Sequence, residues 1–256
     1  MKAIWAIASV MMRELVRKKD FYILLIFLLA LLGFLSSQSF FNVEGISRYI
    51  KDFGYSLVTL FSFIIAVTFT AKQMPGELES KTIYPLLAKP VSRHTIILGK
   101  FLGGVVISSI SFVLFYGIFC IFQWIGGTGN SFMLLGQGFL FGILFLCLVC
   151  AIAMFLSNIM TLGANITLSV LLYIMISGFA DSVRDSVLFS KGITSVLGGI
   201  FYYLIPHFEF YDLRIRITHS WDPLPGWIVV AVALYTCIYC FVLIYFAGLI
   251  FRRKRL

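Results

Sequence analysis

The chain has 256 residues, of which 61% are hydrophobic and only 12% are charged. Soluble globular proteins carry about 25% charged residues, so this composition indicates that lipid is the main solvent of the chain. The net charge of +9 does not indicate nucleic-acid binding, because the sequence holds no soluble basic module. In a membrane protein, basic residues collect on the cytoplasmic side and contact anionic lipid.

Residues 1–20 predict an amphipathic helix that lies in the membrane interface. Lys2, Arg13 and Arg17 fall on one side at helical spacing, while Trp5 and Leu15 lie opposite. A helix with a basic face and a Trp on its apolar face lies along a bilayer rather than across it. The alternative is that this stretch is only a cytoplasmic lead-in to the first span.

Six apolar runs follow, and each reaches the roughly 20 residues that cross a bilayer. They cover residues 21–41, 53–71, 97–124, 132–156, 160–180 and 227–251. The sequence therefore predicts an all-α integral membrane protein with six transmembrane helices in a single transmembrane domain, residues 1–256.

The distribution of basic residues predicts the orientation. With the N-terminus inside, the cytoplasmic segments hold 14 of the 20 Lys and Arg, and the opposite orientation inverts this ratio. Both termini are therefore predicted to be cytoplasmic. Residues 72–96 then form a long cytoplasmic segment between the second and third spans.

The other connections differ in length. A tight cytoplasmic turn near Ser157 and Asn158 joins the fourth and fifth spans, and residues 181–226 form a long external segment. The apolar piece Ile193–Ile205 within this segment is too short to span, which favours a re-entrant or interfacial position. The alternative is an extra crossing, which the charge count disfavours.

The predicted spans lack the groups that ion-coupled transport needs. They contain no Asp, Glu, Arg or His, and their single Lys is Lys100, at the cytoplasmic edge of the third span. Coupled transporters use ionisable groups inside the membrane as relays or ion ligands. The pair Gly99-Lys100 lacks the rest of a P-loop, so energy for uphill transport has to come from another subunit. A membrane-embedded enzyme is also disfavoured, because the three histidines are scattered.

Two small-residue patterns leave alternatives open. Cys147/Cys150 and Cys237/Cys240 offer four thiols for a soft metal, but in apolar helices thiols more often behave as small hydrophobic groups. Glycines at four-residue spacing, such as Gly138/Gly142, predict close helix approach, either between two chains or within one.

The cytoplasmic segment 72–96 has the features of a short helix near the membrane plane. Pro75 suits a first helical turn, Glu77 and Glu79 complement the helix dipole, and Pro85 is expected to end or kink the helix. Ser92 is placed to cap the helix of the third span. Such an element passes movement from a soluble partner to the spans that it joins.

At these residues the chain resembles the type-2 ABC transporter permeases, and most closely their branch with permeases of nitrous-oxide-reductase maturation. The resemblance rests on Glu77-x-Glu79-x-Lys81-Thr82-Ile83-Tyr84, Leu86-Leu87, Lys89-Pro90-Val91-Ser92-Arg93 and Leu98-Gly99-Lys100-Phe101-Leu102-Gly103. Leu204-Ile205-Pro206-His207, continuing to Phe210 and Asp212-Leu213, resembles the family's external motif before the last span. Lys81, where many members have glycine, and Pro85 depart from the pattern.

The resemblance implies a coupling helix that docks on a cytoplasmic ABC ATPase. The implied contacts to the ATPase are Glu77, Glu79, Lys81, Thr82, Leu86, Leu87 and Arg93, and the implied external gate is Pro206, His207, Phe210 and Asp212. It also implies two ATPase subunits, which bind the ATP and Mg²⁺ so that this chain holds no cofactor, and a second permease copy or homologue. An exporter in the plasma or inner membrane of a prokaryote is expected, with room for an extracytoplasmic partner.

Two other functions stay open on the sequence. The chain could be a non-transporting membrane anchor or mechanical transmitter that uses the same coupling helix. The cysteine pairs would suit a metal- or sulfur-handling exporter. The apolar spans would suit a hydrophobic or amphipathic cargo, but any lipid-facing helix has the same composition, so the sequence does not identify the substrate.

Overall fold

The computed structural model describes residues 19–38, 46–79, 93–125, 131–189 and 206–253. Within these ranges every regular element is a helix, in agreement with the predicted all-α class. The elements are α1 (Lys19–Gln38), α2 (Ile46–Glu79), α3 (Arg93–Ile125), α4 (Phe132–Ser157), α5 (Leu162–Phe189), a 3₁₀ helix (Phe208–Tyr211), α6 (Arg214–His219) and α7 (Gly226–Arg253).

Four of the described helices are long and apolar enough to cross a membrane. The spanning stretches are Arg48–Gly76 in α2, His94–Trp124 in α3, Phe132–Ser157 in α4 and Gly226–Arg252 in α7. Shorter apolar stretches lie in α1 (Phe21–Phe34) and α5 (Leu162–Ser177), at the places of the predicted first and fifth spans. The protein therefore passes the membrane several times, and the number six stays a prediction.

Helix α2 lies at the centre of the helix bundle and packs against α1, α3, α4, α5 and α6. Its buried face is rich in aromatic rings, and Phe63 stacks on Tyr173 of α5 with ring centroids 4.4 Å apart. Close approach of the helices depends on glycine. A Cβ atom at Gly142 would overlap the ring of Phe112, and one at Gly104 would lie 2.7 Å from Thr70 Oγ1. These glycines therefore serve packing within one chain, one of the two alternatives that the sequence left open.

Helix α2 corrects the prediction that a new helix begins at Pro75. The helix starts at Ile46, before the predicted span, and runs through Pro75 to Glu79 without a break. Proline removes one intrahelical hydrogen bond and crowds one carbonyl. In apolar surroundings, a break in the helix would leave further backbone groups without hydrogen-bond partners, which favours continuation of the helix through Pro75. The extension also brings Lys51 and Asp52 into the helix that contains the second span.

The other boundaries differ less from the prediction. Helix α4 agrees with the predicted fourth span to within one residue, and a tight turn follows it, in which the Asn158 amide nitrogen donates to Met154 O at 2.9 Å. Helix α3 begins at Arg93, directly after the predicted cap Ser92, and α5 continues to Phe189, beyond the predicted end of its span. Three other predictions lie outside the described residues. They are the effect of Pro85, the position of the piece Ile193–Ile205, and the interfacial helix of residues 1–20 except for its last two residues.

Candidate functional site

Residues 206–225, here called the cap, fold over one end of the bundle. The cap inserts Phe208, Tyr211, Leu213 and Ile217 between the spans, and all four are buried. Ile217 lies close to Gly138 of α4, where a side chain would collide with it. The apolar side of the cap is therefore part of the bundle core.

Polar bonds to three different helices hold the cap in place. Gln137 of α4 pairs with the backbone of Leu224, its amide nitrogen donating to Leu224 O at 2.7 Å and its amide oxygen accepting from Leu224 N at 2.8 Å. Lys51 of α2 donates to Ser220 Oγ at 2.9 Å. The Tyr211 hydroxyl lies 2.7 Å from Thr236 Oγ1 of α7. The cap is thus tied to the long helices α2, α4 and α7.

An ion pair joins the cap to the start of α2. Arg214 Nε lies 3.4 Å from Asp52 Oδ1, which also accepts from Thr218 Oγ1 at 3.4 Å. Asp212 Oδ1 accepts from the backbone nitrogen of Arg214, the first residue of α6, at 2.8 Å. The side chains of Arg214 and Asp52 are partly exposed, so their attraction is screened by solvent and serves mainly to orient the cap.

Beneath the cap is a cavity of about 290 Å³, here called the cap-end cavity. Its wall holds five aromatic side chains, Tyr55, Phe145, Tyr173, Phe208 and Tyr211. Its polar side chains are Ser56, Thr59, Ser177, Glu209, Asp212 and Arg214. Helices α2, α4 and α5 and the cap therefore all contribute to one chamber with an aromatic wall and a charged side.

The structure places the four residues predicted as an external gate in or beside the cap. The ring of His207 stacks on Phe210 at 5.2 Å, and Phe210 meets Tyr235 of α7 edge-on at 5.5 Å. Asp212 lines the cavity, and Pro206 begins the described part of the cap. The structure brings these residues together; their role as a gate stays a prediction.

Burial changes the acid–base properties of two cap residues. It lowers the pKa of His207, whose backbone nitrogen donates to the Tyr235 hydroxyl at 3.0 Å and whose Nδ1 lies 3.3 Å from the same oxygen. Burial also raises the pKa of Tyr211. His207 is therefore neutral and Tyr211 is protonated at neutral pH, as their shared apolar surroundings require.

At the opposite end of the bundle, Lys100 joins helices α2 and α3. Its side chain is buried, and Nζ donates to Gln73 O at 3.1 Å and to Met74 Sδ at 3.3 Å. Both acceptors lie in the turn just before Pro75. The sequence placed Lys100 only at the edge of a span, and the structure shows it to be a buried link between two helices.

The predicted contacts to an ATPase lie beside this link. Glu77 and Glu79 fall in the last turn of α2, and Arg93 is the first residue of α3. Lys81, Thr82, Leu86 and Leu87 lie outside the described residues. The predicted coupling segment thus connects the two helix ends that Lys100 holds together.

The cysteine pairs meet at one contact, between α4 and α7. Helices α4 and α7, which carry Cys147, Cys150, Cys237 and Cys240, pack against each other, and none of the four cysteines forms a disulfide. Cys150 lies 3.5 Å from Ser108 Oγ. Among the described residues, no group of three His, Cys, Asp or Glu is arranged to hold a metal ion. The metal alternative therefore gains no support from their meeting.

The comparison with protein families decides the class of the protein. A model of the family described as ABC-2 family transporter protein matches residues 5–256. The chain belongs to the ABC-2 transporter family. No curated protein matches the chain at a significant level. Membership of the ABC-2 family, with the apolar helices, identifies a multi-pass membrane protein that fits the permease subunit of an ABC transporter.

Several residues of the site were not found by sequence reasoning. Asp52, Gln137, Tyr173 and Thr236 all contact the cap or line its cavity, yet each stands outside residues 206–225 in sequence. The available signal was polarity: Asp52 and Gln137 stand out beside or inside apolar runs. Such a signal marks a residue as unusual without naming its partner.

Proposed function

We propose that this ABC-2 family protein is the membrane-spanning permease subunit of an ATP-driven exporter in the plasma or inner membrane of a prokaryote. It crosses the membrane six times with both termini in the cytoplasm. It works as a pair, with a second copy or a homologue, on two ATPase subunits that bind ATP and Mg²⁺. ATP hydrolysis is therefore carried out by the partner and not by this chain.

The link through Lys100 is the observation that carries this proposal. A buried ammonium group is costly unless it is bound by other polar groups. Here it binds the backbone of α2 at Gln73, two residues before Pro75. A push on segment 72–96 would therefore move α2 and α3 together, because their ends are bonded to each other.

The geometry suggests how such a push would reach the far side of the membrane. The end of the bundle beside segment 72–96 is here called the coupling end. Helix α2 runs from Glu79 at this end to Lys51 and Asp52 under the cap. Tilting α2 would displace the cap that is bonded to it. Closure of the ATPases on ATP would then shift the spans between inward- and outward-accessible states.

In this proposal the cap forms the external gate, with Pro206, His207, Phe210 and Asp212 at its start. The surrounding segment, residues 181–226, is on the outer side and offers a surface for an extracytoplasmic partner. The cap supplies part of the lining of the aromatic cavity below it, so displacement of the cap would change the shape of that cavity.

Charge reversal at the coupling end tests the docking of the ATPase. We expect the double variant Glu77→Lys/Glu79→Lys to lose co-purification with the proposed ATPase subunit, because like charges would replace attractive ones at the contact. Asp222→Lys is the matched control, since Asp222 lies in the cap at the other end of the bundle. If the double variant retains the ATPase as well as the control does, the assigned docking residues are wrong.

A further inference from the structure

A groove lies between helices α3 and α7 at the coupling end of the bundle. It has a volume of about 200 Å³, and aliphatic and aromatic side chains form most of its wall. Leu98 of α3 and Phe241 and Tyr245 of α7 line it, with exposed fractions of 41%, 73% and 52%. Because these side chains are exposed, the groove opens on the outer surface of the bundle and not into its core. Lipid, the main solvent of this chain, therefore has access to it.

The groove starts at the level where both helices leave the apolar layer of the membrane. The spanning stretch of α3 begins at His94, which lines the groove, and that of α7 ends at Arg252. A Cβ atom at Gly248, one turn before Arg252, would overlap the imidazole ring of His94, so the two helix ends lie against each other. The phosphates of the surrounding lipids lie at this edge of the apolar layer.

The depth of the groove matches one acyl chain. From Arg252 to Phe241, helix α7 rises about 16 Å. One layer of acyl chains is about 15 Å thick, half of a hydrocarbon core of about 30 Å. A groove of this depth with a volume of about 200 Å³ holds part of a single acyl chain and excludes a whole lipid.

Basic residues gather where the head group of such a lipid would lie. Arg252 is exposed at the end of α7, and Arg93 is the first residue of α3. Arg252 makes a further interaction within the protein, which a guanidinium with five N–H donors can combine with a phosphate contact. It also begins a run of four consecutive basic residues, Arg252-Arg253-Lys254-Arg255. Basic clusters directly beside a spanning helix attract anionic lipid.

The acidic residues at the end of α2 do not belong to the groove. Glu77 and Glu79 fall in the last turn of that helix, and none of the described residues of α2 lines the groove. Among the described lining residues there is also no carboxylate. The charge at the mouth of the groove therefore favours an anionic head group over a zwitterionic one.

We propose that the groove between α3 and α7 binds one acyl chain of an anionic phospholipid, whose phosphate is held by the basic run that begins at Arg252. The lipid comes from the leaflet at the coupling end, because the groove opens at the level of its head groups. This inference goes beyond the proposed function and does not depend on it, since binding requires neither ATP nor a partner subunit.

Native mass spectrometry of the purified full-length chain in a non-ionic detergent tests the proposal. The probes are phosphatidylglycerol and phosphatidylcholine with identical acyl chains, so that only the charge of the head group differs. We expect the first phosphatidylglycerol molecule to bind at least about tenfold more tightly than the first phosphatidylcholine, because only the former brings a net negative charge to the basic run. Equal affinities for the two lipids, or no bound lipid, would overturn the proposal.

A charge variant tests where the head group is held. Arg252→Gln/Arg253→Gln should weaken binding of phosphatidylglycerol at least about tenfold and leave that of phosphatidylcholine unchanged. Arg48→Gln is the matched control, because Arg48 is an exposed arginine at the start of α2, at the other end of the bundle. If the double variant binds phosphatidylglycerol as tightly as this control does, the phosphate is held elsewhere and the proposal fails.

A second variant fills the groove without changing any charge. Leu98→Trp should weaken binding of the first phosphatidylglycerol at least about tenfold, because the indole would occupy the space of the acyl chain. Leu114→Trp is the control: Leu114 lies on the same helix outside the groove and is similarly exposed, at 44%. Neither replacement disturbs the core, since both leucines are exposed. Equal binding by the two variants would show that charge alone holds the lipid on the outer surface, and the groove would not be its site.

Discussion

Lys100 shows how a single charge is accommodated inside the helix bundle. Its side chain is 1% exposed, and its ammonium group binds a backbone oxygen and a thioether of α2. Lysine is unfavourable at such a depth, so its contacts have to compensate for the lost hydration. The polar contacts of Lys100 therefore help to set the distance between α2 and α3. A shift of either helix relative to the other would disturb these contacts.

His207 predicts a dependence of stability on pH at the scale of one residue. Because burial lowers its pKa below the usual 6.5, the folded protein resists protonation of this ring more than the unfolded chain does. The contribution of His207 to stability is fully present above pH 6.5 and is lost as the pH falls through the lowered pKa. Thermal unfolding should therefore shift to lower temperature between about pH 7.5 and about pH 5.

The variant His207→Gln isolates this effect. Glutamine does not titrate, and the two remaining histidines, His94 and His219, are present in both proteins. We expect the unfolding temperature of the variant to change less between the two pH values than that of the wild type. An equal change in both proteins would mean that His207 is not the group responsible.

At the scale of the elements, close packing of α3 and α4 depends on Gly142. A methyl group at this position would overlap the ring of Phe112, which is fully buried and cannot move aside freely. We expect Gly142→Ala to destabilise the protein by about 1–3 kcal/mol, the usual cost of overpacking a core. Thermal unfolding in detergent measures this loss.

Gly136 on the same helix provides the control. A Cβ atom there meets no other atom within 4 Å. Gly136→Ala should stabilise α4 by about 0.5–1 kcal/mol, because alanine loses less backbone entropy than glycine in a helix. Similar unfolding temperatures for the two variants would contradict the packing argument.

The helices differ in how far the sequence predicted them. Helix α4 is apolar apart from Gln137 and its last residue, Ser157, and it has a polar turn directly after it, so hydropathy located both of its ends. The sequence did not predict the end of helix α2 correctly. Pro75 alone predicts the start of a new helix, whereas α2 continues through Pro75 to Glu79. The outcome depends on tertiary contacts such as that of Lys100, which no local pattern contains.

The candidate site was predicted only in its local part. Pro206, His207, Phe210 and Asp212 are near neighbours in sequence and were recognised through a family resemblance. The opposite wall of the cavity comes from other helices, for example Tyr55 and Tyr173, whose aromatic rings look like ordinary core residues in the sequence. Contacts between residues that are far apart in sequence produce no periodic pattern of hydrophobic residues. The sequence therefore did not predict the cavity.

At the scale of the whole molecule, the bundle connects two polar regions at opposite ends. The coupling end holds Lys100 and the ends of α2 and α3, and the other end holds the cap with its ion pair to Asp52. Helix α2 reaches both regions, and apolar packing fills the distance between them. Such an arrangement is suited to pass a displacement from one membrane face to the other, which a simple anchor does not require.

ATP hydrolysis by the reconstituted complex tests this central claim most directly. The rate of the ATPase subunit is measured alone, with the wild-type permease and with the Lys100→Met permease in nanodiscs. We predict that the wild-type permease changes the rate several-fold, and that Lys100→Met abolishes this change while the complex still assembles, since the proposed docking residues are unchanged in this variant. If the ATPase binds the permease and turns over at the same rate with and without it, the chain is an anchor, and its proposed role as an energy-coupled permease is contradicted.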